Sequence, residues 1–192
     1  MRKRLLFFYD FSMKTKRIIL LVSLILILST ALGAADYDTY KNAIGAQAGD
    51  LSGYGLSFHN RLNSTSALQT TIGLMYEGQP GSSSYLDYML GLEYQHTFFA
   101  DTYADWFAAH LYWFVGLNHS ASMGWDGFSL ASSPYTPAFG IGGGFGVEPI
   151  FLGHFSIPVS FGYGVFYKPT AQNNFDKFKI NFIPQIGIRY RY

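Results

Sequence analysis

The sequence predicts an all-β chain: a transmembrane up-and-down antiparallel β-barrel of about eight strands, preceded by a signal peptide that is cleaved. Three observations predict it. Segments of about ten residues alternate large apolar with small or polar side chains. No segment carries the 3.6-residue period of an amphipathic helix. The apolar face is too bulky for the interior of so small a barrel, whose lumen side chains of ordinary size already fill. The apolar face therefore points outward, where hydrocarbon is its compatible surrounding. Strands of about 9–11 residues suit a tilted crossing, and closure pairs every backbone group.

The chain opens with basic residues, Arg2, Lys3 and Arg4, then Lys14, Lys16 and Arg17, ahead of an apolar run from Ile18 to Leu28 and the small residues Ala31 to Ala35. Charged, apolar and small-residue regions in that order make a secretory signal peptide. The apolar run is too short for a membrane-spanning helix, which needs about 20 residues. Residues 1–35 are therefore expected to be the signal, with Met13 a better start than Met1, and residues 36–192 the barrel. The leader holds six of the 13 basic residues and one of the 12 acidic ones, leaving seven against eleven, a net charge of −4. An acidic chain lacks the basic footprint of a nucleic-acid binder. Cysteine is absent, so neither disulfides nor thiolate chemistry contribute.

Each element follows from the pattern. Asn42 to Gly49 is a short first segment, and the turn Asp50 to Gly53 leads to Tyr54 to Asn60. After the polar stretch Arg61 to Ser66, Ala67 to Glu77 sets Leu68, Thr70, Ile72, Leu74 and Tyr76 on one face. Gly78 to Ser84 is a loop by its Gly, Pro and Ser content. Tyr85 to Gln95 alternates again, and Trp106 to Leu117 is the fifth segment. Asn118 to Thr136 reads as the longest irregular stretch. In Ala138 to Glu148, Phe139, Ile141, Phe145 and Val147 alternate with Gly140, Gly142, Gly144 and Gly146. Ile157 to Lys168 is the seventh segment and, after Pro169 to Asp176, Phe178 to Tyr192 the eighth. Pro184 cannot donate to a ladder, so it is expected at a bulge or beside one. Tyr54, Tyr76, Tyr85 and Tyr167 fall at one end of their strands and Tyr94, Trp106, Tyr190 and Tyr192 at the other, as two aromatic girdles would.

The last strand ends on Tyr192 with Ile186, Ile188 and Tyr190 at every second position before it. With the leader, the strand count and the alternation, this ending resembles the small bacterial outer-membrane β-barrel family, the OmpA-like and OmpX-like barrel domains. The resemblance implies an outer-membrane location, lipid as the surrounding partner, and a barrel-insertion machinery that reads the C-terminal strand. It also implies short periplasmic turns and longer outward loops, so that residues 50–53, 78–84, 118–136 and 169–176 face outward. A structural or surface-interaction, adhesin-like role without an open pore is the leading expectation. Two alternatives stand beside it: an outer-membrane lipid-modifying enzyme, and a soluble lipocalin-like carrier with the opposite facing.

Chemistry-bearing motifs are sparse. His59, His96, His110, His119 and His154 show no metal-ligand spacing, so neither metal nor cofactor is expected. His119 lies near Ser120 and Ser122, but the His-x-Ser of outer-membrane lipid A deacylases is not matched, because the second residue after His119 is Ala121. No catalytic residue is assigned. The string from Gly140 to Gly146 reads as a strand with small lumen residues, not a nucleotide loop. Glu93, Glu148 and Arg189 are expected to form a structural charge network in the lumen, with Arg61 and Arg191 more exposed at its rim. Trp125, Phe128 and Tyr135 are candidate contacts to an extracellular protein or glycan.

Overall fold

The computed structural model describes residues 40–78, 84–125, 135–171 and 177–192. The expected signal peptide, Phe128 and the side chain of Trp125 lie outside the described residues. In chain order the strands are β1 (Asn42–Gly49), β2 (Gly55–Arg61), β3 (Ser66–Glu77), β4 (Ser84–Ala104), β5 (Phe107–Trp125), β6 (Thr136–Phe151), β7 (Phe155–Ser156), β8 (Val159–Tyr167) and β9 (Phe178–Arg191). Each pairs antiparallel with its neighbours, and β1 pairs with both β2 and β9, which closes the ring. The two-residue β7 and β8 both lie between β6 and β9 and act as one wall. Ile157 and Pro158 interrupt it, and proline has no N–H to continue a ladder. The barrel therefore has eight walls.

Facing follows the alternation. Along β9 Ile183, Gln185, Gly187, Arg189 and Arg191 are buried, while Phe182, Ile186, Ile188 and Tyr190 are exposed. The same parity puts Leu92, Val115, Leu117, Ile141, Phe145 and Phe161 on the outer surface. This facing excludes the lipocalin-like alternative, which requires the apolar residues inside. Tyr54, Tyr76 and Tyr85 are exposed at one end of the barrel, and Trp106, Tyr190 and Tyr192 at the other. A charge in such a belt is opposed by the hydrocarbon. Leu117→Arg, in mid-strand on the outer face, should lower unfolding stability in lipid vesicles by about 2–4 kcal/mol, whereas an unchanged urea midpoint would place Leu117 in water.

The structure corrects several sequence expectations. The gap expected after Gln95 does not exist, because β4 continues to Ala104, paired with β5 through register shifts at Thr97/Phe99 and Thr102/Ala104. The stretch from Asn118 to Trp125 is likewise strand, held to β4 and β6. Mixed polar composition hid both extensions, because their partners are supplied by other strands. Pro184 sits opposite Phe161 in an unbroken register, one residue beyond the last β1–β9 pair, Gly49 with Gln185. It thus marks the end of one ladder and not a bulge.

The turn Asp50–Gly53, expected to face outward, folds into the barrel instead. Leu51 is 0% and Ser52 1% exposed. Gly53 takes φ +93° and Gly55 φ +145°, conformations that let the chain drop inward and return. A Cβ on Gly91 would fall on the Ser52 carbonyl oxygen, so glycine on the β4 wall makes room for the turn.

Candidate functional site

The lumen is filled in layers. Nearest the end that carries the short connections 62–65, 105–106 and 152–154 is a hydrogen-bonded charge network. The Arg189 guanidinium donates to Glu148 at 3.0 Å and to the side-chain carbonyl of Gln69. Ser156 donates to the same Glu148 oxygen at 2.6 Å. Gln69 in turn accepts from Gln95, and the Glu93 carboxylate accepts from Gln95 at 2.6 Å and from Gln185 at 3.0 Å. Gln185 also reaches Ser160 and the backbone N–H of Ser52. Arg189 is 1% and Glu93 2% exposed. Charges so buried are tolerated only when paired and hydrogen-bonded.

The five charged residues singled out in the sequence are placed unequally. Arg189 and Glu148 meet directly. Glu93 does not touch Arg189: Gln69 and Gln95 stand between them and carry the connection. Arg191, expected toward the rim, is buried. Arg61 is half-buried and donates to the Ser64 carbonyl oxygen in the adjoining turn. Arg61 and Arg191 border, with His59, His110 and Glu148, a hollow of about 20 Å³. Sequence reasoning placed Gln69, Gln95 and Gln185 on the lumen-facing parity of their strands but left them out of the charge network. That parity, together with an amide long enough to span the gap, was the available signal.

Above the charges lies an apolar layer. Leu51, from the infolded turn, packs with Tyr112, Phe114 and Ile183, and Phe166 covers the group. These strand residues share the lumen side of the walls with polar residues, alanines and glycines. A Cβ on Gly116 would come within 3.0 Å of Leu51, and one on Gly142 within 3.1 Å. The glycine track of β6 therefore accommodates the plug as well as the narrow bore. Beyond the plug, toward the end with connections 78–83, 126–135 and 168–177, a vestibule of about 330 Å³ remains, bordered by Tyr54, Met75, Met89, Asp87, Ala138 and Lys168.

On the outer face near that end, His119 lies at the centre of a hydrogen-bonded chain. Its Nδ1 is 3.2 Å from the Ala138 carbonyl oxygen, which can only accept, so Nδ1 carries the proton. Nε2 then accepts from the Tyr88 hydroxyl at 2.8 Å, and Tyr135 donates to the Tyr88 oxygen at 2.8 Å. Phe139 stacks on the imidazole with centroids 4.7 Å apart. Ser120 and Ser122 belong to the opposite parity of β5 and border the vestibule, so neither stands beside His119 as a nucleophile. Among the described residues no group of three or more His, Cys, Asp or Glu could hold a metal ion.

No family model matches this sequence, and no curated protein matches it. Solved structures do. The N-terminal β-barrel domain of Pseudomonas aeruginosa OprF superimposes with a TM-score of 0.52 at 15% identity, covering 79% of this chain and 96% of that domain. Neisserial surface protein A aligns with a TM-score of 0.45 at 15% identity, over 79% of this chain and 93% of that one. With its closed eight-walled ring, outward apolar belt and filled lumen, this chain has the fold of the small bacterial outer-membrane β-barrels.

Proposed function

We propose that this chain is an integral protein of the bacterial outer membrane, exported by residues 1–35 and inserted by way of its C-terminal strand, with a structural or surface-interaction, adhesin-like role. One observation carries the reading: an outward apolar belt surrounds a lumen filled by the Arg189–Glu148 network and the Leu51 plug. A barrel so filled does not serve as a wide aqueous channel, which leaves its anchored loops as the working part. Residues 126–134, flanked by Trp125 and the exposed Tyr135, are the proposed contact to an extracellular protein or glycan. The lipid-modifying alternative would need a nucleophile on the His119 face, and Ser120 and Ser122 lie on the other.

Membrane fractionation combined with proteolysis of intact cells tests the location. An epitope tag placed within residues 126–133 should be detected on intact cells. Detection only after the outer membrane is opened would overturn the orientation. Deletion of 124–133 should abolish a surface-binding phenotype while heat-modifiable migration of the barrel persists; retained binding would remove the loop from the role.

A further inference from the structure

The barrel wall is uneven. The β2–β3 register ends at Leu56 with Ile72, although β3 runs on to Glu77. The β1–β9 register ends at Gly49 with Gln185, although β9 starts at Phe178. The short β1–β2 hairpin, its turn spent on plugging the lumen, therefore does not reach between upper β3 and upper β9. Among the described residues this leaves a notch in the side of the barrel at vestibule level. Met75, on the lumen-facing parity of β3 beside this gap, is 63% exposed. The notch is flanked on the outside by Leu74, Ile180 and Phe182, all exposed. Strand edges open to hydrocarbon are costly, and the Tyr54, Tyr76 and Tyr85 girdle sets the notch at headgroup depth, where water and lipid polar groups satisfy them.

We propose that the vestibule is a binding site for a small amphipathic molecule with a linear apolar body and an anionic head, and that this molecule exchanges sideways with the outer leaflet through the notch. The vestibule volume of about 330 Å³ lies at the small end of ligand pockets, about 300–1,000 Å³. Its border is mixed. Met75, Met89, Tyr54 and Ala138 offer an adaptable apolar surface, the hydroxyls of Ser120, Ser122 and Thr136 line the opposite walls, and Lys168 offers a cation for the head. Asp87, on the same border, disfavours a second negative charge and restricts the head to a single one. Beneath, Leu51 with Tyr112, Phe114 and Ile183 blocks passage down the lumen, so among the described residues the routes that remain are the mouth and the notch.

Two experiments on the full-length barrel test this. Native mass spectrometry with lauric acid as probe should show one retained molecule on the wild type, at least ten-fold less on Ala138→Trp, and undiminished retention on the outer-face control Leu117→Trp. Equal retention by all three, or none by the wild type, overturns the site. Because the chain has no cysteine, single labels at Leu74→Cys, Met75→Cys and Ser120→Cys can be compared in vesicles carrying nitroxide lipid. The Met75 label should be quenched at least half as strongly as the Leu74 label, and the Ser120 label less than a tenth as strongly. Quenching at Met75 no greater than at Ser120 overturns the notch. The proposal rests on the membrane-embedded reading, and absence of quenching at Leu74 would defeat that reading itself.

Discussion

Replacing Arg189 with Met should lower the unfolding free energy of the barrel in lipid vesicles by about 3–5 kcal/mol. The side chain is 1% exposed, and its guanidinium holds Glu148 at 3.0 Å while also donating to Gln69. Methionine fills much of the same volume but leaves the Glu148 carboxylate buried with its main cationic partner gone. The penalty is that of the stranded charge more than of the lost contact. Glu148→Gln in the Arg189→Met background should therefore recover part of the loss, and strictly additive losses in the cycle would mean the two side chains act independently. Lys41→Met, at an exposed position, is the matched control and should cost under about 1 kcal/mol.

Leu51→Ala should cost about 2–5 kcal/mol, an effect unexpected for a turn residue. Its side chain is fully buried against Tyr112, Phe114 and Ile183, and the backbone around it is fixed by the Ser52 N–H to Gln185 bond of 2.6 Å and by close approach to Gly91. Truncation leaves a cavity in a lumen whose glycine walls, Gly116 and Gly142, have no side chains with which to collapse into it. Leu56→Ala, on the lipid face, should lose less than half as much, since lipid tails fill the space. Equal losses at the two positions in urea titrations would show that the turn does not occupy the lumen.

Much of the fold was legible because β-strand facing is a period-two property of the chain. In Phe178 to Tyr192 the parity separates Ile186, Ile188 and Tyr190 from Gln185, Arg189 and Arg191, and the structure keeps that division. Strand ends were less legible. Phe98 to Ala104 and Asn118 to Trp125 do not alternate cleanly, and they are strand because β5, β4 and β6 supply hydrogen bonds along them. Within the lumen, Glu93, Glu148 and Arg189 were identifiable as charges on the polar face. Their actual contacts were not, because they depend on the depth of each residue, which bulges and stagger between strands set.

The sequence by itself determined the all-β class, the approximate strand number, the outward apolar face and the set of residues available to the lumen, since each depends on local alternation, turn residues and side-chain size. Tertiary structure alone decided which lumen groups meet, with Gln69 and Gln95 standing between Glu93 and Arg189. It also decided that Asp50–Gly53 turns inward and that the β1–β2 hairpin stops short of upper β3 and β9. The reason is physical: parity is carried along one strand, whereas register, depth and the fate of a turn are fixed only when distant walls close around a bore too narrow to leave Leu51 or the charges any other arrangement.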